Sequence, residues 1–180
     1  MRILLVNGSP RRAAANSRIV LDSLRSRLGE THEYRMVESM ASDKARPEDL
    51  EVDFIVLAFP LYIDSLHSRL LAWLISYEAL RRSSSSARQV SMIAVANCGF
   101  KEGIQNKTAL DIVSNFCARA GIEWRGGLGI GTGEMIGALK GAPDEMPIKR
   151  PVSRALDALS ARVDASPAPS GCLYATHALP

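Results

Sequence analysis

Cysteine is scarce: Cys98, Cys117 and Cys172 are the only three in 180 residues, and their spacings are unrelated. That excludes an even disulfide framework, and with no CxxC pair it also removes the usual ligand spacing for zinc or an iron–sulfur cluster. The histidines His32, His67 and His177 fall in separate elements and give a metal no ligand pattern. No apolar stretch approaches the roughly 20 residues of a membrane span, and the run opening the chain is too short for a secretory signal. Charge of one sign is lacking too. The 22 Lys+Arg against 19 Asp+Glu leave +3, which fits neither a disordered acidic chain nor a dedicated polyanion binder. Arginine doublets occur only at Arg11-Arg12 and Arg81-Arg82, so solvated surface is a better reading than a nucleic-acid patch. GxxxxGK[ST] is absent, which removes the best support for nucleotide hydrolysis. The thiols fit a reducing cytoplasm.

What is present is 47% hydrophobic residues, enough for one sizeable core. Short apolar runs alternate with longer stretches at helical spacing. Ile3–Val6, Val52–Ala58 and Val90–Ala96 read as strands buried on both faces, with Trp124–Ile130 a glycine-interrupted fourth. His32–Glu38 alternates, as an edge strand does. Helices are expected on the stripes Leu21, Leu24, Leu28; Leu66, Leu70, Leu74, Tyr77; Ala109 to Ala120, stopped at Gly121; and Val152 to Val163, opened by Pro151. The polar stretch from Ser39 to Glu51 holds at most a short helix.

This order predicts an α/β fold, a three-layer α-β-α sandwich on a five-stranded parallel sheet of flavodoxin-like order 2-1-3-4-5. Residues 1–165 would form one domain, followed by a loosely held tail over residues 166–180, which contain Pro167, Pro169 and Pro180.

Ligands of such sheets bind beyond the carboxyl ends of the strands, where the order reverses. Three loops meet there. The first, Asn7-Gly8-Ser9-Pro10-Arg11 through Asn16-Ser17, offers hydroxyls, an amide, a guanidinium and a helix start suited to a phosphate. Asn16 or Ser17 serving as an ordinary N-cap is an equal reading. The second, Phe59-Pro60-Leu61-Tyr62-Ile63-Asp64, can place Tyr62 under a planar ring or leave it as a surface aromatic. In the third, Asn97-Cys98-Gly99-Phe100, Phe100 offers a stacking face, and Cys98 reads as a small neighbour of a ligand rather than a nucleophile. The glycines from Gly126 to Gly133 lack the context of a dinucleotide fingerprint and read as a loop beside the site, with residues 131–137 helping to build its pocket.

Gly8-Ser9-Pro10-Arg11 with Asn16-Ser17, Phe59-Pro60-Leu61-Tyr62 and Asn97-Cys98-Gly99-Phe100, in this order, resemble the NADPH-dependent FMN reductase and NAD(P)H quinone reductase group of flavodoxin-like proteins. The resemblance runs from Met1 to about Gly133. It implies FMN, with its phosphate at Ser9, Arg11, Asn16 and Ser17, its ring lined by Pro60, Leu61, Tyr62 and Ile63, and its other edge held by Asn97, Cys98, Gly99 and Phe100. It also implies hydride transfer from NAD(P)H to a quinone or similar acceptor, with no catalytic side chain, and a homodimer. Lys101 is a candidate for positive potential near the ring. Leu66, Leu70, Leu71, Trp73, Leu74 and Tyr77 make one helix apolar on more than one face, as either an interface or full burial requires. An electron carrier and a flavin-free interaction module are the alternatives on the same fold.

Overall fold

The computed structural model describes residues 1–11, 15–42, 44–84, 88–167 and 169–178. Arg12 and part of the serine run lie outside them. Six parallel strands, β1 (Arg2–Asn7), β2 (Glu33–Glu38), β3 (Phe54–Pro60), β4 (Ser91–Asn97), β5 (Glu123–Gly131) and β6 (Leu173–Thr176), form one sheet in the order β2-β1-β3-β4-β5-β6. The helices are α1 (Asn16–Leu28), α2 (Ser68–Ser83), α3 (Lys107–Ala120), α4 (Glu134–Ala138) and α5 (Arg150–Ser160).

The uninterrupted apolar strands split cleanly by parity, because successive side chains of a strand point to opposite faces. Leu4, Val6, Ile55, Leu57 and Phe59 pack with α2 and α3 through Leu70, Trp73, Leu74, Tyr77, Val113 and Phe116. Ile3, Leu5, Phe54, Val56 and Ala58 pack on the other face with α1 and α5 through Val20, Leu24, Val152 and Leu156. The two layers of helix thus follow from unbroken hydrophobicity. Strand β2 alternates and lies at the sheet edge, half-buried, as its pattern requires.

The expected strand count is corrected from five to six. Leu173–Thr176, inside the stretch read as a tail, pair in parallel with Leu128–Gly131. Two arginines secure the chain before them. Arg125 Nη1 donates to the carbonyls of Arg162, Val163 and Ala165 at 3.1, 3.1 and 2.9 Å. Buried Arg162 donates back to Gly171 O at 2.5 Å. Between them β5 carries a bulge, where its register with β4 shifts and Gly126 adopts φ 97°. A side chain there would meet the Arg162 guanidinium and Gly171 O.

The helix expected over Leu66–Tyr77 is mostly core: Leu66, Leu70, Trp73, Leu74 and Tyr77 are buried, and Leu71 and Ile75 face outward. Cys117 lies on the buried face of α3, where burial pushes its thiol up to about 12. Among the described residues between β2 and β3, one turn of 3-10 helix forms, Pro47–Leu50.

Candidate functional site

The register brings the strand ends together: Asn7 pairs with Ala58, Pro60 with Asn97, and Asn97 with Ile130. Beyond these ends opens a cleft of about 260 Å³, lined by Ser9, Arg11, Asn16, Ser17, Pro60, Leu61, Tyr62, Asn97, Cys98, Gly99, Gly133 and Glu134. It sits at the sheet's reversal of direction, where open α/β sheets hold ligands.

Of the residues singled out in the sequence, Ser9, Arg11, Asn16, Ser17, Pro60, Leu61, Tyr62, Asn97, Cys98 and Gly99 share this one cleft. Ile63 and Phe100 do not line it; they stand outside, 98% and 55% exposed. Lys101 is not among the lining residues either. From the segment expected to build the pocket, Gly133 and Glu134 line it. That segment is ordered by hydrogen bonding: Thr132 N donates to Phe100 O at 2.6 Å and Gly133 N to Cys98 O at 2.7 Å, after which α4 begins.

The first wall is the start of α1. Its N-cap is Ala15, with no side-chain cap and no acidic residue in the first turn. Asn16 and Ser17 are therefore not the caps; they stand inside the helix with their side chains engaged elsewhere. Asn16 Nδ2 donates to Gly133 O at 2.8 Å, and Ser17 Oγ accepts from Asn97 Nδ2 at 3.3 Å. The first N–H groups of a helix have no intrahelical carbonyl, so this end, with no side-chain cap from Ala15 among the described residues, turns donors and positive dipole to the cleft. Buried Ser9 is held in place by its own N–H, which donates to Asn7 Oδ1 at 3.1 Å, and its Oγ accepts from Arg11 N at 3.2 Å. Gly8 admits no side chain: a Cβ would lie 2.5 Å from Leu70 Cδ2 and 2.8 Å from Phe59 Cβ.

The second wall is a tight turn. Tyr62 and Ser65 exchange both main-chain hydrogen bonds, each 2.9 Å, around Ile63 and Asp64 at φ 46° and 57°. Two consecutive residues of positive φ define the two-residue hairpin that Asn-Gly prefers, and a β-branched residue there is strained. His67 supports this loop in a way the sequence reading missed. Its Nδ1 accepts from Arg69 N at 3.2 Å, capping α2, while its ring meets that of Tyr62 edge-on at 5.2 Å. His67 falls inside the stripe that begins at Leu66, and histidine is not among the usual capping residues, so no local signal marks this cap.

The third wall is β4's end. Asn97 is buried and donates from Nδ2 to Phe59 O at 3.0 Å. Cys98 is buried too. Burial pushes its thiol up, against a lowering contact from Asn106 Nδ2 at 3.2 Å, so it sits in the protonated form as a small wall residue. Among the described residues no group of three His, Cys, Asp or Glu can hold a metal ion, and no helix is long and apolar enough to cross a membrane.

No protein-family model matches the chain, and no curated protein matches it by sequence. Solved structures share its fold. An NAD(P)H:quinone oxidoreductase from Methanothermobacter marburgensis is 12% identical, with a TM-score of 0.55 over 92% of this chain and 96% of that one. An azoreductase from Bacillus anthracis str. Sterne is 12% identical, with a TM-score of 0.55 over 91% and 98%. A flavodoxin of Streptococcus pneumonia TIGR4 is 14% identical, with a TM-score of 0.52 over 71% and 81%. The likeness is one of fold, and the fold is flavodoxin-like.

Proposed function

We propose that the chain is an FMN-dependent NAD(P)H oxidoreductase that delivers electrons to a quinone or similar small acceptor. The observation that carries this reading is the uncapped start of α1, opening into a cleft beside Ser9 and Arg11. That donor set suits a phosphate monoester, since orphan N–H groups, a hydroxyl and a guanidinium all favour an anion. Tyr62 and Leu61 on one side and the Asn97–Gly99 main chain on the other suit a flat ring between them. The residues therefore fit FMN.

When bound, FMN supplies the hydride and electron transfer. The protein holds it. Arg11, Ser9 and the α1 N–H groups would bind the phosphate; Pro60, Leu61 and Tyr62 would cover the ring and keep water from it; Asn97 fixes the β3 and β4 ends against each other. Glu134 places a carboxylate beside Gly99, 2.6 Å from where a Cβ would stand, and would narrow the cleft that receives the cofactor and acceptor. No side chain acts as acid or base. Ile63, Leu71 and Ile75 are exposed apolar groups of the Tyr62 loop and α2, and we assign them to a homodimer contact. The expected setting is the cytoplasm.

The test is an FMN titration followed by flavin fluorescence. The wild-type chain should bind, and Arg11→Ala should weaken binding about tenfold or more, the worth of one charge-assisted hydrogen bond. A chain that takes up no FMN under any reconstitution refutes the proposal. Oxidation of NAD(P)H by the loaded protein with a quinone then separates an enzyme from an electron carrier.

A further inference from the structure

A second cavity, about 240 Å³, lies between α1, α4 and α5, apart from the first cleft. The short helix α4 stands between the two, with Glu134 lining the first and Ile136 the second. Ile136, Val152 and Leu156 are buried and give the second cavity apolar walls. Ser153 also lines it; the residue is 3% exposed, and its hydroxyl has no hydrogen-bond partner among the described residues. A buried hydroxyl left unpaired costs about 1–3 kcal/mol, and a ligand acceptor in the cavity offsets that cost.

The charges around the cavity are uneven. Asp22 is engaged by Arg18 at 3.1 Å, and Lys149 pairs with Asp144 at 2.8 Å. Exposed Lys140 lines the cavity with no acidic partner among the described residues. Lys140 is thus the lining cation left to meet an acid group, with the Ser153 hydroxyl as the unpaired buried donor. The volume equals about eight water molecules at ~30 Å³ each, room for a short hydrocarbon chain or one aromatic ring.

We propose that this cavity is a second ligand site that takes a small apolar carboxylate, its body against Ile136, Val152 and Leu156 and its acid group at Ser153 and Lys140. Nothing in this depends on flavin.

Octanoate is the probe, with 1-octanol as its uncharged match, each titrated into the full chain and followed by methyl NMR. Octanoate should give saturable shifts at Ile19, Ile136, Val152 and Leu156, about tenfold tighter than octanol. Lys140→Gln, a surface change that leaves the core intact, should weaken octanoate about two- to fivefold and leave octanol unchanged. Ser153→Ala should weaken octanoate about fivefold or more without lowering the thermal midpoint of the free protein, because it removes an unpaired hydroxyl. Absence of saturable binding, equal affinity for octanol, or no effect of Lys140→Gln on octanoate each overturns the proposal.

Discussion

Asn97 donates its side-chain amide to the main-chain carbonyl of Phe59 at 3.0 Å, at the buried base of the cleft. The same amide reaches Ser17 Oγ at 3.3 Å, so one side chain ties β3, β4 and the first turn of α1. Asn97→Ala removes the buried amide that bridges Phe59 O and Ser17 Oγ, while the strand ladder still serves the Phe59 carbonyl, and should cost about 1 kcal/mol in equilibrium urea unfolding. Asn97→Ser, which keeps a donor, should recover part of the loss.

Gly126 sits at the β5 bulge with φ 97°, facing the Arg162 guanidinium and Gly171 O. Gly126→Ala combines a disfavoured backbone with a steric conflict, and a loss of about 2 kcal/mol or more is expected. Hydrogen exchange should show β6 opening first, because the displaced Arg162 is what holds Gly171 ahead of it.

Ile63 at φ 46° works against its own backbone. Ile63→Asn supplies a residue that tolerates this conformation and should raise stability by about 1 kcal/mol, read as a higher thermal midpoint. On the proposed function the same change removes an apolar contact between subunits, so the more stable variant should show weaker self-association by sedimentation.

His177 is buried, with Nδ1 3.0 Å from Thr132 Oγ1. Burial holds its imidazole below the ordinary value, and Lys149 acts in the same direction. The unfolded chain therefore takes up a proton near pH 6.5 while the folded one resists. Stability should be full above that pH, fall as the pH drops toward the folded value, and level off below it. His177→Gln should flatten this part of the stability profile, measured by urea midpoints from pH 7.5 down to about pH 5.

Much of the sheet is readable from local pattern. Strands β1, β3 and β4 are continuous apolar runs, and β2 is alternating, so their number, parallel pairing and edge position follow from hydrophobicity alone. Strand β6 has no such pattern. Leu173-Tyr174-Ala175-Thr176 is short and only partly buried, and its place depends on Arg125 and Arg162, residues far away in sequence. The cleft is legible because a parallel sheet brings its loops to one end whatever their internal shape. Ile63 and Phe100 escape that logic. Which way a loop side chain points is decided by the turn, and the positive φ values at Ile63 and Asp64 come from main-chain pairing of Tyr62 with Ser65 rather than from the residues at the tip. The capping state of α1 is equally invisible locally, since Asn16 is drawn off by Gly133, 117 positions away.

The four residues of β6 also bear on solubility. Beyond β4, the sheet would otherwise end in β5, nine residues long and poor in side chains where Gly126, Gly127, Gly129 and Gly131 fall. Such a bare backbone edge invites pairing with another molecule. Capped by β6, it is replaced with a border of only four residues, and the opposite border, β2, carries Glu33 and Arg35. A protease that clipped the chain between Gly171 and Leu173 would uncover β5 and turn a protected edge into a seed for precipitation.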